Sequence, residues 1–246
     1  MKLLLLGTGG YHPSDSRHTA CMFAPESGLV FDAVTALYRL RQHLATPTLD
    51  IFLSHTHLDH VVGLTYLLDV MWEKNVERVT VHGDPDKLVA VREHMFSPHL
   101  FPVLPAITWE PLGAPVVLAD GGRVTWFPLA HPGGSLGYRV DWPGRSLAYV
   151  TDTTADPQTS PLPQLRGVDL LLHECYFPDG WEERARRTGH SCLTQVTELA
   201  RAAGVGRLVL IHINPLGDER APLDLAVARR VFPATDIARD GMELEL

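Results

Sequence analysis

Short apolar runs bounded by glycine, proline, aspartate or asparagine recur along the chain, and such runs are typical of buried strands. Nine of them predict strands, at residues 2–6, 29–31, 49–53, 78–81, 123–129, 137–141, 146–150, 168–172 and 207–211. Other segments carry apolar residues three or four positions apart, which is the spacing of an amphipathic helix. They predict helices at residues 35–44, 60–72, 85–95, 193–203 and 222–231.

The order of these elements predicts an α/β protein. Strands alternate with helices through most of the chain, whereas the strands between residues 116 and 150 follow one another through short turns and are expected to be antiparallel. No internal repeat, low-complexity tract or linker divides the sequence. We therefore expect a single domain over residues 1–246.

The composition indicates a folded protein without disulfides. The chain has 246 residues, of which 45% are hydrophobic, enough to bury a large core. Its three cysteines, Cys21, Cys175 and Cys192, are far apart and lack CxxC spacing. No apolar run approaches the ~18 residues of a membrane span, and residues 7–10 end the first run too early for a signal peptide. We expect a reduced, cytoplasmic protein that does not bind a membrane.

Charge and histidine content narrow the function. The formal net charge of −8 disfavours binding to a long nucleic acid, which needs clustered lysine and arginine. The 13 histidines indicate metal binding or acid/base chemistry instead, because imidazole is the commonest metal ligand and titrates near neutral pH.

A dense group of ligands follows the predicted strand at residues 49–53. His55, His57, Asp59 and His60 lie within six residues, between that strand and a predicted helix. Open α/β sheets place their sites at such strand ends. Four ligands on one turn do not fit tetrahedrally around one ion, but two ions can share them.

This His-x-His-x-Asp-His segment resembles the motif of the metallo-β-lactamase superfamily. The resemblance implies a four-layer αββα sandwich with two metal ions at one edge. It also implies three further ligands, His131, Asp152 and His212, and each of these follows a predicted strand in the expected order. In the family's pattern one metal is held by His55, His57 and His131, the second by Asp59, His60 and His212, and Asp152 bridges them.

The implied cofactor is a pair of divalent ions, with zinc the first choice and manganese the second. Two such ions, two aspartates and a bridging hydroxide leave the cluster with a charge of about +1, which favours a small anionic substrate. Metal coordination lowers the pKa of water towards ~7. The hypothesis is hydrolysis by a metal-bridging hydroxide, with Asp59, His190 and Glu174 as the catalytic residues.

Further segments resemble the ribonuclease Z-like branch of the superfamily, which includes small phosphodiesterases. They are the Gly-Thr-Gly-Gly turn at residues 7–10, Gly189-His190-Ser191, and Leu172-His173-Glu174-Cys175. The resemblance implies that His190 protonates the leaving oxygen. Its place before a predicted helix is expected to lower its pKa, and Glu174 is expected to orient His190 or a ligand imidazole.

The chain also departs from the tRNA 3′ endonucleases of that branch. Their bacterial forms carry a tRNA-gripping arm between the positions of His131 and Asp152, where residues 132–151 leave room only for two strands and turns. The first choice is therefore a phosphodiesterase for a small or cyclic phosphate ester. A tRNA 3′-processing endonuclease, a thioester or lactone hydrolase and a non-hydrolytic metal protein are the alternatives. The resemblance implies a homodimer.

Overall fold

Two sheets of seven strands pack face to face within residues 1–156, 161–218 and 220–246, the part of the chain that the computed structural model describes. The strands of the first sheet, in spatial order, are β14 (Met242–Glu245), β1 (Lys2–Gly7), β2 (Cys21–Ala24), β3 (Leu29–Phe31), β4 (Thr48–Phe52), β5 (Arg78–Gly83) and β6 (Thr108–Pro111). From β3 to β6 neighbouring strands are parallel, whereas β14, β1, β2 and β3 pair antiparallel.

The second sheet also combines parallel and antiparallel strands. Its strands, in spatial order, are β13 (Thr235–Ile237), β12 (Arg207–Ile211), β11 (Leu170–Glu174), β10 (Arg145–Val150), β9 (Ser135–Trp142), β8 (Arg123–Leu129) and β7 (Val116–Val117). From β10 to β13 the strands are parallel, and from β7 to β10 they are antiparallel. The antiparallel pairing predicted for residues 116–150 is confirmed.

Helices cover the outer faces of both sheets. The α-helices are α1 (Leu58–Val61), α2 (Leu67–Met71), α3 (Pro85–Ala90), α4 (Leu162–Leu165), α5 (Glu182–Thr188), α6 (Leu193–Ala203) and α7 (Leu225–Val231). Two 3₁₀ segments (Leu37–Gln42 and Val62–Tyr66) and a π-helical segment (Val91–Met95) complete the set. Within the described ranges, no helix has the length and apolarity required to span a bilayer.

The alternation of side chains along β1 explains the layers. Leu3 and Leu5 join the core between the two sheets, while Leu4 and Leu6 point the other way and pack against the outer helices. A third apolar cluster lies between the second sheet and α6, where Val196 and Ala200 are fully buried. Helix, sheet, sheet and helix are thus stacked in that order, and the predicted αββα sandwich is confirmed.

The differences from the predicted elements have identifiable causes. The helix predicted at residues 60–72 is broken into α1, a 3₁₀ segment and α2. The break occurs because the Gly63 N–H donates to the Ala33 carbonyl at 2.8 Å and not within the helix, and Gly63 lies so close to Val34 that a Cβ atom would come within 2.2 Å of its carbonyl oxygen. The predicted strand at residues 168–172 is β11, two positions later. Helix α5 was missed because its EERARRT sequence has no apolar stripe.

Candidate metal centre

The predicted ligands converge at one edge of the sandwich, where several strands end. His55 and His57 lie on the turn between β4 and α1, and Asp59 and His60 lie on α1 itself. His131, Asp152 and His212 follow β8, β10 and β12. These strands run in the same direction within each sheet, so their carboxyl ends meet at the same edge. Residues that are 157 positions apart in sequence, His55 and His212, therefore share one site.

The side chains form two adjacent groups of potential metal ligands. One consists of His55, His57, His131 and Asp152, and the other of Asp59, His60 and His212; within each group the ligand atoms lie within 4.8 Å of one another. This division matches the two ligand sets that the resemblance implies.

Asp152 lies between the two groups, with one carboxylate oxygen towards each. Its Oδ2 is 3.7 Å from His55 Nε2 and 3.6 Å from His131 Nε2. Its Oδ1 is 3.2 Å from His60 Nε2 and 3.1 Å from His212 Nε2. A carboxylate in this position can bind one cation with each oxygen.

Burial and neighbouring charges set the protonation of the cluster. Burial alone disfavours the charged form of His60, but the carboxylates of Asp152 and Asp32 outweigh it and raise the His60 pKa well above its usual value. Burial and the neighbouring His60 lower the pKa of His55. Although burial opposes ionisation of Asp152, the imidazoles of His212 and His60 hold its pKa well below the usual range.

His60 is oriented by Asp32, to which the sequence analysis assigned no role. Asp32 Oδ2 is 2.9 Å from His60 Nδ1, which leaves Nε2 facing the cluster. The carboxylate also accepts hydrogen bonds from the Ser54 backbone (2.7 Å), the Ser54 hydroxyl and the Tyr149 hydroxyl (both 2.8 Å). Asp32 is fully buried, and the only hint in the sequence is its position directly after the apolar strand β3.

Three residues of the site occupy left-handed backbone conformations that non-glycine residues seldom adopt. Asp32 (φ 57°), Asp152 (φ 43°) and His212 (φ 53°) each lie within two residues of the end of a strand. Such conformations cost of order 1–3 kcal/mol each and concentrate at functional sites.

The structure places His190 beside the cluster and in contact with Glu174. Their Nδ1 and Oε1 atoms are 2.9 Å apart, and Glu174 is fully buried. Burial disfavours the charged imidazole, but the Glu174 carboxylate outweighs it and raises the His190 pKa above its usual value. The expectation that a helix start lowers this pKa is wrong, because α6 begins only at Leu193 and the carboxylate is much closer.

Tyr176 is a second residue of the site that sequence reasoning missed. Its ring stacks on that of His190 at 4.5 Å between centroids and 16° between planes, and it lies 5.7 Å from the His212 ring. Burial, with the nearby carboxylates of Asp59 and Glu174, raises the pKa of Tyr176 to about 12. The phenol is therefore neutral at physiological pH. The only signal in the sequence is its position two residues after Glu174.

The residues of the cluster suit divalent cations. The Nε2 atoms of His55, His60 and His212 are buried, and within the described part of the chain none of them meets the criteria for a hydrogen bond, although two lie within 3.2 Å of Asp152 Oδ1. Buried polar atoms are normally paired, and unpaired imidazole nitrogens that converge with carboxylates form the donor set of a zinc-like ion. The His/Asp cluster therefore fits the binding of divalent metal.

Other residues considered in the sequence analysis lie outside the cluster. His12 borders a cavity beside it, whereas His18 contacts the Thr35 hydroxyl at 3.2 Å. His82 lies on β5 and its Nε2 is 2.8 Å from Asp50. Cys175 is fully buried, and burial raises its pKa, so its thiol is not available as a nucleophile.

Comparisons with known proteins agree with the motifs. The family model described as the β-lactamase superfamily domain matches residues 28–213. Ribonuclease BN of Escherichia coli (strain K12) is 28% identical over 307 aligned positions that cover 98% of each chain. The crystal structure of the short form of human tRNase Z is 22% identical with a TM-score of 0.78, covering 100% of this chain and 99% of that one.

A diphosphatase of the PhnP family has the same architecture, with a TM-score of 0.74 and 18% identity over 100% of this chain and 96% of its own. The superfamily expected from the His-x-His-x-Asp-His segment is thereby confirmed. The chain belongs to the metallo-β-lactamase superfamily, and it is similar over nearly its whole length to ribonuclease BN and to the short form of human tRNase Z.

Proposed function

We propose that this protein is a dinuclear metal-dependent phosphodiesterase that acts on a small or cyclic phosphate ester. The observation that carries the proposal is the position of the His190–Glu174 pair beside the two groups of ligands. A phosphodiester needs both parts, because its phosphoryl oxygens carry negative charge and its leaving oxygen needs a proton near neutral pH.

The first ligand group would hold one ion and the second group the other, with Asp152 shared. A bound pair of divalent ions supplies Lewis acidity and lowers the pKa of water so that it can attack phosphorus. The chain's own residues do the remaining work. His190 donates a proton to the leaving oxygen, and Glu174 keeps that imidazole both protonated and oriented.

The segment between His131 and Asp152 favours a small substrate. Its residues form the hairpin of β9 and β10, in which Arg145 pairs with Trp142 across a tight turn. Both strands are interior strands of the second sheet, and Arg139 on β9 is tied to Asp141 by a 2.9 Å ion pair and to carbonyls in and after α4. The hairpin presents no arm to a folded RNA.

A tRNA 3′-processing endonuclease is the second candidate, favoured by the similarity to ribonuclease BN over nearly the whole of both chains. That alignment spans 307 positions although this chain has 246 residues, so the relative carries residues that have no counterpart here. These missing residues are why we rank a small ester first.

The test is a substrate panel assayed with the metal-loaded protein. It contains bis(p-nitrophenyl) phosphate, 2′,3′-cyclic nucleotides, a pre-tRNA and a thioester. We expect turnover of the phosphodiesters, its loss after dialysis against a chelator, and its recovery on addition of Zn²⁺ or Mn²⁺. Asp152→Asn should lose turnover, whereas the exposed, matched variant Asp86→Asn should keep it.

Each other outcome is informative. Preference for the pre-tRNA would establish the second candidate, and preference for the thioester would refute both. Full activity in protein shown by elemental analysis to be metal-free would refute the dinuclear mechanism.

A further inference from the structure

Two cavities meet at the candidate metal centre. The first, which we call the aromatic cavity, has a volume of about 490 Å³ and is lined beyond the cluster by Tyr11, Pro132, Tyr176, Phe177, Arg184 and Leu216. The second, the outer cavity, is bordered by Tyr11, His12, Thr56 and Leu58. Both reach His57 and Asp59, and Tyr11 stands between them. A phosphodiester matches this arrangement, because two ester groups, which we call its arms, extend from one charged phosphate centre.

Exposed apolar side chains surround this opening. Tyr11 is 70% exposed, Leu58 is 72% exposed and Leu216 is 79% exposed. Each of them lines one or both of the cavities. Apolar side chains gathered at the mouth of a concave site indicate a ligand that covers them when it binds.

The walls of the aromatic cavity suit a flat ring. Tyr176 and Phe177 supply aromatic surface, and their ring centroids are 5.0 Å apart. Pro132 and Leu216 supply aliphatic surface. The Arg184 guanidinium lies 5.9 Å from the Phe177 ring and 5.5 Å from the Trp181 ring, so aromatic contacts hold it in place at this wall. The volume lies within the range of roughly 300–1,000 Å³ found for small-molecule sites.

The position of His190 distinguishes the two arms. His190 lines the aromatic cavity together with Tyr176, which stacks on it, but it does not border the outer cavity. The oxygen that receives a proton from His190 must therefore belong to the arm in the aromatic cavity.

We propose that the aromatic cavity binds a planar ring carried by the leaving alcohol of the phosphodiester, and that the arm remaining on phosphorus extends into the outer cavity. This inference rests on the proposed phosphodiesterase function. In the step it describes, the oxygen of water bonds to phosphorus while the bond from phosphorus to the leaving oxygen breaks. The electron pair stays on that oxygen, which takes the His190 proton, and the proton lost by water passes to solvent.

Two substrates test the assignment of the arms. Bis(p-nitrophenyl) phosphate and methyl p-nitrophenyl phosphate share their leaving group and differ only in the arm that remains on phosphorus. Each is assayed with the metal-loaded wild type, with Leu216→Ala, and with Val117→Ala as the control. Val117 is 71% exposed on β7 and lines neither cavity.

Leu216→Ala should raise KM for both substrates by the same factor, roughly 3- to 30-fold, because several buried methyl and methylene contacts with the ring are lost. Val117→Ala should leave KM unchanged. As Leu216 is exposed in the free protein, its removal should not change the thermal unfolding temperature.

Two results would overturn the inference while leaving the proposed function intact. A rise in KM confined to bis(p-nitrophenyl) phosphate would place the retained arm in the aromatic cavity, and an unchanged KM for both substrates would show that the cavity binds neither arm. Failure of the metal-loaded wild type to turn over either substrate would overturn the proposed function itself, and this inference with it.

Discussion

Replacing Glu174 with glutamine removes the charge that holds the His190 proton while nearly preserving the shape of the side chain. Glu174 Oε1 accepts from the Thr153 backbone at 3.0 Å and contacts His190 Nδ1 at 2.9 Å. Its Oε2 accepts from the backbones of Tyr176 (3.1 Å) and Ser191 (3.3 Å). Either orientation of a glutamine amide turns its NH₂ group towards a backbone N–H. We therefore expect a cost of about 1–3 kcal/mol in the free energy of unfolding.

The larger effect concerns the pH dependence of catalysis. A nearby carboxylate favours the charged form of an imidazole, and Glu174 Oε1 lies 2.9 Å from His190 Nδ1. A general acid works only while it is protonated, so activity falls as the pH rises through the His190 pKa. Because Glu174 raises that pKa, the variant should show the alkaline fall in kcat/KM at a lower pH than the wild type.

The assay compares the pH profile of kcat/KM for two phosphodiesters, one with an alkyl and one with a p-nitrophenyl leaving group. The shift should be large for the alkyl ester and small for the p-nitrophenyl ester, which leaves without a proton. Glu243→Gln, which removes a half-exposed carboxylate paired with Lys2, is the control for the change in net charge. An unchanged profile for the alkyl ester, or equal shifts for both esters, would refute the role of His190 as proton donor.

Three further predictions concern the cluster. Asp32→Asn should weaken metal affinity or activity roughly 10–100-fold, because the residue orients His60. Titration with Zn²⁺ monitored by calorimetry measures this, and the exposed Asp86→Asn is the matched control. Gly10→Ala should reduce activity by a similar factor without unfolding the protein, since a Cβ atom there would lie 2.7 Å from the His212 ring and 2.9 Å from Tyr176. Circular dichroism tests whether the variant is folded and turnover tests its activity; full activity would contradict the contact. In metal-free protein, Asp152 has a depressed pKa, so its contribution to stability is present above pH ~4 and is lost as the pH falls further. In urea unfolding between pH 6 and 3, the free energy of unfolding should therefore decline less steeply for Asp152→Asn than for the wild type.

The sequence was sufficient for the parts of the site whose chemistry is local. His55, His57, Asp59 and His60 lie within six consecutive residues, so their spacing alone indicated metal binding. Nine strands were recognised because their apolar runs are short and sharply bounded, whereas β2, β6, β13 and β14 were not predicted. The resemblance to a known superfamily implied the four αββα layers.

The missed features depend on contacts between distant segments. The carboxylate of Asp32 is held in place by a hydrogen bond from Tyr149, which lies on the opposite sheet and 117 positions away in sequence. Tyr176 matters because the loop that contains it brings its ring onto His190. The breaks in the helix predicted at residues 60–72 come from the close approach of Gly63 to Val34. Periodicity along one segment does not report on any of these.

The left-handed residues at the strand ends bear on how such a centre can be moved to another protein. At Asp32, Asp152 and His212 the backbone turns against the handedness that an L-residue prefers. At the last two this turn directs the side chain into the ligand cluster, and at Asp32 it directs the carboxylate to His60. A designer who transplanted only the seven ligands onto straight strand ends would obtain the right residues aimed in the wrong directions. The transferable unit is therefore each strand together with its reversed final turn, supported by a sandwich stable enough to tolerate the strain.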